Sequence, residues 1–178
     1  MHLTGRLGMR YRRHYRKGGC YFFTAVSYRR QKIFCTDASN KVLRKAFQRV
    51  RQKHPFKINA IVVLPDHIHC LWTLPVGDQD FSSRWRLIKY HFTRNYQHQV
   101  INPNNPVWQN RYWEHLIRDS EDFQRHVEYI HYNPVKHDFV SAPRDWPWSS
   151  FHRYVKQGIY PVSWGSHKTE IPEDTGNE

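Results

Sequence analysis

Two histidines separated by one residue, His67 and His69, are the first candidates for chemistry in this sequence. They lie in an apolar run typical of a β-strand, in which successive side chains point to opposite faces of the sheet. Both imidazoles therefore share one face and can supply two ligands of a divalent metal site. The alternative is a pair of hydrogen-bonded polar residues without a metal. Cys70 points away from His69, which argues against a zinc site of histidine and cysteine.

Tyr129 is the candidate nucleophile. It lies in a helix predicted over 121–133, beside the apolar stripe at positions 123, 127 and 130. The adjoining polar face carries Asp122, His126, Tyr129 and Asn133. A phenol can attack phosphorus and keep the energy of the broken phosphodiester as a phosphotyrosine. Because the pKa of a phenol lies near 10, the attack needs a cation that withdraws charge from the phosphate.

A metal ion on His67 and His69, completed by the amide oxygen of Asn133, would lie within one helical turn of Tyr129 and meet that need. The other interpretation of Tyr129 is packing in the core with a hydrogen-bonded hydroxyl.

The elements that must position these residues follow from the hydrophobic pattern. Strands are predicted over 20–28, 56–64, 67–74 and 113–118, and helices over 37–53, from Ser82 or Ser83 to about 96, and over 121–133, where Pro134 ends the helix. This order predicts an α+β fold: a ferredoxin-like βαββαβ core with a mainly antiparallel sheet, followed by the C-terminal helix that carries Tyr129. A short helix or turn is expected within 142–155.

The composition favours a nucleic-acid partner. The 178 residues contain 28 Lys and Arg against 15 Asp and Glu, a formal net charge of +13. Such a basic chain usually binds a polyanion, although a solvated basic surface is the alternative. We expect one domain over 1–165 with a basic N-terminal arm, and an acidic, disordered tail over 166–178. Three dispersed cysteines favour a reducing compartment, and the longest aliphatic run, 60–64, is too short to cross a membrane.

The sequence resembles the REP-associated tyrosine transposases, a branch of the HUH single-tyrosine transposases. The resemblance rests on LPDHIHCLWTLP (64–75), FSSRWRLIKYHFT (81–93) and WEHLIRDSEDFQRHVEYIHYNPVKH (113–137), with RKGGCYFFT (16–24) and DWPWSSFHRYV (145–155) in support. It covers nearly all of the chain from about residue 11 to 164. One departure is Asp138, where relatives often carry Gly.

The resemblance implies a residue-level site and a substrate. His67 and His69 would be the HUH metal ligands, Tyr129 the nucleophile and Asn133 the third ligand, with Mg²⁺ or Mn²⁺ as the cation. The substrate would be a single-stranded DNA hairpin, a repetitive extragenic palindrome with a short conserved tetranucleotide at its 5′ foot. The enzyme would cleave near the hairpin and rejoin strands through a 5′-phosphotyrosine. A bacterial protein of the cytoplasm, associated with the nucleoid and acting as a monomer, is expected.

Basic residues outside this site are candidates for DNA contacts, because cations track phosphates and aromatic rings stack on unpaired bases. The candidates are Arg12, Arg13, Arg16 and Lys17 in the arm, Arg84, Arg86, Lys89 and Arg94 in the second helix, and Lys136 and His137 beyond the third. A flexible basic arm and a merely solvated helix face are the competing interpretations.

Two other functions remain open from the sequence. One is a hairpin-binding protein without catalysis. The other is an RNA-binding protein or a metal-dependent nuclease in which water, rather than Tyr129, is the nucleophile.

Overall fold

The structure is a computed structural model that describes residues 15–97 and 106–166. Its strands and helices follow one another as β1 (Cys20–Val26), α1 (Asp37–Lys53), β2 (Lys57–Val63), β3 (His67–Thr73), α2 (Phe81–Gln97), β4 (Trp113–Leu116), α3 (Ser120–Lys136) and α4 (Phe151–Lys156). Short 3₁₀ turns lie at Tyr28–Arg30 and Pro143–Asp145. Within the described ranges, no helix is long and apolar enough to cross a bilayer.

The four strands form one sheet in the order β2-β3-β1-β4, and each neighbouring pair is antiparallel. This order, together with the sequence of elements, confirms the predicted ferredoxin-like core followed by the tyrosine-bearing helix. Alternation of side chains along β3 sends Ile68, Cys70 and Trp72 to one face of the sheet and His67, His69 and Leu71 to the other.

The first face is apolar and is covered by α1 and α2. Trp85 of α2 stacks on Trp72 of β3, with ring centroids 4.7 Å apart, and Phe47 of α1 meets both rings edge-on. All three side chains are at most 5% exposed, so this layer is a conventional hydrophobic core that fixes the sheet from behind.

The second face is covered by α3 and α4. Val127 and Ile130 of α3 pack with Leu71 and Phe22, and Phe151 of α4 extends the same cluster. The residues between α3 and α4 also cover the outer edge of β2: Val63 donates to the Trp148 carbonyl, and Ser150 donates to the Ile61 carbonyl. The edge strand is thereby closed to further strand pairing.

Both ends of α3 differ from the prediction. The helix was predicted from 121, but it begins at Ser120, and its N-cap is Asp119, whose carboxylate accepts the Asp122 N–H at 2.8 Å. Pro134 does not end the helix. It lies in the last turn, where the missing donor costs one bond, and the helix runs on to Lys136 as His137 donates to the Asn133 carbonyl.

The helix ends in a Schellman motif centred on Asp138. Asp138 donates to the Val135 carbonyl, Phe139 donates to the Pro134 carbonyl, and Asp138 has a left-handed φ of 57°. Glycine is the residue that normally occupies this position, because a side chain there meets the backbone. Asp138 therefore holds the helix end at a local energetic cost.

We expect Asp138→Gly to stabilise the fold by ~1 kcal/mol, because it removes the penalty of a side chain at positive φ. Urea denaturation measures the change in the free energy of unfolding directly. Thermal denaturation should show a rise in Tm of about 2–4 °C. Asp138→Ala is the control, since it keeps a Cβ at the same φ and should give no gain. Equal stability of the Gly and Ala variants would contradict this account of the helix end.

Candidate functional site

His67 and His69 lie on the sheet face that α3 covers, near the end where β3 begins. They are 2% and 0% exposed, and their ring centroids are 4.8 Å apart. The antiparallel register sets Val26 and Thr24 of β1 directly opposite them. The predicted shared face is confirmed, and the pair is buried between two layers rather than on a solvent-facing strand.

Each histidine is oriented through its Nδ1 atom. His67 Nδ1 lies 2.6 Å from Asp66 Oδ1, and Asp66 also accepts from Arg30 at 3.1 Å. Burial alone would raise the pKa of Asp66, but the bonds from His67 and Arg30 outweigh it and lower that pKa. A carboxylate can only accept, so His67 Nδ1 carries a proton, and in the neutral imidazole this leaves the lone pair on Nε2. His69 Nδ1 lies 2.9 Å from the Thr24 hydroxyl.

This arrangement suits metal binding through Nε2. A histidine ligand commonly donates its other ring nitrogen to a carboxylate or hydroxyl, which fixes the ring and its tautomer. His67 Nε2 is buried and has no hydrogen-bond partner in residues 15–97 and 106–166, a costly state for a polar atom. A cation at this position would use that lone pair.

The polar face of α3 is pressed against the same part of the sheet. Asp122, His126, Tyr129 and Asn133 are all at most 4% exposed. The ring of Tyr129 meets His69 edge-on, with centroids 5.2 Å apart, and also contacts Phe22 at 5.9 Å. The sequence placed Tyr129 beside the apolar stripe; the structure shows that this polar face is itself buried. Tyr129 and the histidine pair are therefore neighbours, and Asn133 is one turn further along the same side.

Lys136 and His137 lie at the outer rim of this cluster. The ammonium of Lys136, whose side chain is exposed, lies 4.9 Å from the centroid of the Tyr129 ring. The half-buried ring of His137 lies 5.5 Å from that of His67. The structure thus brings both residues beside the candidate nucleophile and metal ligands, while their contact with DNA stays a prediction.

A second group of possible metal ligands, not predicted from the sequence, lies where the same face of α3 meets β4. The ligand atoms of His115, Asp122 and His126 all lie within 4.8 Å of one another. The i, i+4 spacing of Asp122 and His126 was a visible signal, but His115 joins them only through the pairing of β4 with β1.

The carboxylate of this second group is already well coordinated. Asp122 accepts from His115 at 2.9 Å and from the Arg118 N–H at 3.0 Å. Burial opposes ionisation, but these bonds outweigh it and lower the pKa of Asp122 to about 2. A metal here would have to displace the His115 bond and bind close to the Arg118 and Arg125 guanidinium groups, which lie 3.4 and 3.8 Å from the carboxylate. These contacts favour a structural role in fixing the start of α3.

The predicted DNA contacts on α2 are corrected at two positions. Arg84 is 3% exposed, and its guanidinium is bound to Asp78 and to the carbonyls of His54, Pro55 and Asp80. Lys89 is half-buried: its ammonium donates to the Gln109 carbonyl at 2.8 Å, and burial lowers its pKa to about 8. Arg84 does not face solvent as a phosphate contact must, and the ammonium of Lys89 is engaged within the fold.

The remaining basic candidates have mixed outcomes. Arg86 and Arg94 are exposed, but α2 covers the sheet face opposite His67 and His69. Arg16 and Lys17 are exposed where the chain enters β1. Their role in DNA binding stays a prediction. Arg12 and Arg13 lie outside the described residues.

Known proteins resemble this chain along most of its length. Residues 18–133 match the family described as "Transposase IS200 like". The REP-associated tyrosine transposase of Escherichia coli strain K12 is 49% identical over 161 residues, which cover 90% of this chain and 93% of that protein. This chain belongs to the REP-associated tyrosine transposases. A solved structure of a REP-associated tyrosine transposase bound to a REP hairpin superimposes with a TM-score of 0.82 at 46% identity, covering 96% of this chain and 98% of that one.

Membership in the REP-associated tyrosine transposases confirms the resemblance inferred from the sequence and establishes the protein as a transposase. The match over residues 18–133 includes the strand with both histidines and the part of α3 that carries Tyr129 and Asn133, so the buried cluster lies within the region shared with the transposase family.

Arg84 and Arg86 provide a matched test of the correction on α2. We expect Arg84→Ala to destabilise the protein by about 2–3 kcal/mol, because Asp78 and several backbone carbonyls lose their hydrogen-bond donor. Arg86→Ala should change stability by no more than ~0.5 kcal/mol, since that side chain is exposed. Chemical denaturation of both variants gives the comparison. Equal effects would show that Arg84 is not the structural cation described above.

Proposed function

We propose that this protein is a metal-dependent, structure-specific endonuclease and strand transferase for single-stranded REP-type DNA hairpins, with Tyr129 as its nucleophile. The observation that carries the proposal is the edge-on contact of Tyr129 with His69 at 5.2 Å, inside a buried cluster with His67 and Asn133. A tyrosine used only for packing does not require two oriented imidazoles beside it. The choice of a REP hairpin is supported by the relative that was solved bound to one.

The cation in this proposal is Mg²⁺ or Mn²⁺, held by His67, His69 and the amide oxygen of Asn133. The donor set of two imidazoles and one amide oxygen suits either ion, and the imidazoles favour Mn²⁺. When bound, the cation withdraws negative charge from the scissile phosphate. Asp66 and Thr24 keep the two rings in position by their bonds to Nδ1.

The chain's own residues then perform one balanced exchange. The Tyr129 oxygen attacks phosphorus, the bond from phosphorus to the 3′ oxygen breaks, and the phenolic proton leaves while the 3′ oxygen gains one as a free hydroxyl. The 5′ phosphate stays joined to Tyr129. Rejoining reverses this step with the same or another 3′ hydroxyl. The ammonium of Lys136 over the Tyr129 ring stabilises the negative charge that develops there.

The surroundings supply positive charge for the DNA. Lys136 and His137 lie beside the reacting group, and we assign them to the scissile phosphate or the leaving strand. Arg16, Lys17, Arg86 and Arg94 stay candidates for phosphates further from the cut. Action as a monomer, with the bacterial nucleoid in the cytoplasm, is part of the same proposal.

Replacement of Tyr129 tests the nucleophile. We expect Tyr129→Phe to abolish the covalent protein–DNA adduct and to lower cleavage on the order of 10³-fold or more, with hairpin binding retained. The measurement is a denaturing gel of protein, Mn²⁺ and a labelled single-stranded palindrome from the host. Tyr132→Phe is the matched control, because Tyr132 lies in the same helix but packs on Trp164.

Two outcomes of this experiment would reject the proposal in different ways. Undiminished cleavage by Tyr129→Phe would mean that water is the nucleophile. Tight hairpin binding by the unaltered protein with no adduct or cut product, across several repeats and both metals, would favour a binding protein without catalysis.

A pair of double variants tests which histidines hold the cation. We expect His67→Ala with His69→Ala to lower Mn²⁺ affinity by at least ~100-fold, since loss of a mere supporting bond costs 10–100-fold. His115→Ala with His126→Ala should leave the affinity within a few-fold. Mn²⁺ titration followed by electron paramagnetic resonance needs no DNA and no catalysis. The reverse pattern would transfer the metal to the cluster around Asp122.

A further inference from the structure

A cavity of about 250 Å³ lies between α1, the edge strand β2 and the segment 147–153. It is lined by Leu43, Arg44, Phe47, Ile58, Ile61, Val63, Pro147, Trp148, Ser149, Ser150 and Arg153. The cavity is below the ~300–1,000 Å³ typical of pockets for drug-sized ligands. Its size therefore suits one flat ring system and not a larger molecule.

The walls combine apolar surface with positive charge. Phe47 and Ile61 belong to the hydrophobic core behind the cavity, and the half-buried Trp148 closes one side. Arg44 and Arg153 have exposed side chains and line the cavity. The Arg153 guanidinium donates to the carbonyls of Ile58 and Asn59, so Arg44 is the cation of the lining that can turn to a ligand. A nucleobase needs this combination: an aromatic or apolar wall to stack on, with cations nearby for its phosphate.

The exposed surface of α1 is basic, and one of its cations, Arg44, lines the cavity. Its exposed basic residues are Lys41, Arg44, Lys45, Arg49, Arg51 and Lys53, and Asp37 is the only acidic residue of the helix. In the described part of the chain, none of these six forms a salt bridge with a carboxylate. A row of unneutralised cations along one helix complements a polyanion.

A path of aromatic rings joins the cavity to the candidate catalytic site. From His67 it runs through His137 at 5.5 Å, Phe139 at 5.8 Å, Trp146 at 5.5 Å and Trp148 at 5.3 Å, each distance taken between successive ring centroids. Phe139 is 40% exposed, whereas Trp146, the next ring of the path, is buried. The path leads from the site, around the end of β2, to the cavity wall.

We propose that this cavity binds one unpaired nucleobase of the DNA strand that Tyr129 cleaves, with a neighbouring phosphate held by Arg44 of α1. The inference rests on the proposed function, since it takes the scissile phosphate to lie at Tyr129. Bases of a duplex are stacked and paired, so only an unpaired nucleotide can turn its base into the cavity. The cavity thus distinguishes the single-stranded foot of a hairpin from its stem.

The test is a binding measurement that needs neither metal nor cleavage. Fluorescence anisotropy in EDTA compares a labelled hairpin that carries an unpaired 5′ foot with the same hairpin cut flush. We expect Trp148→Ala to weaken binding of the footed hairpin by at least about fivefold, the lower end for loss of one stacked base. Binding of the flush hairpin should not change. The alanine keeps the backbone bond from Val63 to residue 148, and thermal denaturation checks the fold.

A second pair of variants avoids any risk to folding. Arg44 and Lys45 are adjacent exposed cations of α1, but only Arg44 lines the cavity. We expect Arg44→Glu to reduce the preference for the footed over the flush hairpin at least fivefold more than Lys45→Glu does. Equal effects of the two charge reversals would mean general attraction to phosphates and would overturn the proposal.

The remaining outcomes separate this inference from the proposed function. Unchanged preference for the footed hairpin in both Trp148→Ala and Arg44→Glu rejects the base site, while Tyr129 can still be the nucleophile. Loss of cleavage chemistry in the unaltered protein rejects the proposed function, while the EDTA measurement still reports on the cavity. A change in the sedimentation of Trp148→Ala without DNA would make the cavity a contact between copies and would likewise overturn the base site.

Discussion

The interface between α3 and the centre of the sheet buries polar side chains beside its apolar cluster, and the arrangement of the site depends on how their hydrogen bonds are satisfied there. Buried imidazole, carboxylate and phenol groups destabilise a fold unless each finds a partner. Asp66 and Thr24 are hydrogen-bonded to the two histidines, and the Asp122 carboxylate accepts from His115 and from the Arg118 backbone N–H. The first two bonds fix the rings of the histidines, and the bond between Asp122 and His115 anchors the start of α3 to β4, so that Tyr129 meets an already oriented His69.

The apolar core on the opposite face of the sheet stabilises the fold enough to offset the cost of burying these polar groups. Trp72 and Trp85 stack within a dense aromatic core under α1 and α2, and Arg84 ties the start of α2 to the loop before β2. Burial of that apolar area is the dominant stabilising contribution. The two faces therefore have different tasks, in that one supplies most of the stability and the other carries the groups suited to chemistry.

Periodicity in the sequence was sufficient for the fold and for the core of the site. Strand alternation set both histidines on one face, and the order of elements determined the ferredoxin-like topology. It failed for Arg84 and Lys89, because a helical pattern does not reveal that Asp78 or the Gln109 carbonyl will meet a cation. His115 was missed since its partners come from another element. Pro134 was misjudged because proline in a final turn removes only one bond from a helix already held at both ends.

The burial of Tyr129 and Asn133 has an evolutionary consequence. Because these side chains fill the space between α3 and the sheet, most substitutions at either position also remove packing from the same interface, and Tyr129→Phe, which removes only the hydroxyl, is the exception. A gene copy drifting without selection for strand transfer would tend to lose the folded protein together with the reaction. Inactive yet abundant descendants should then be rare, and those that persist should have repacked this interface with residues of similar volume.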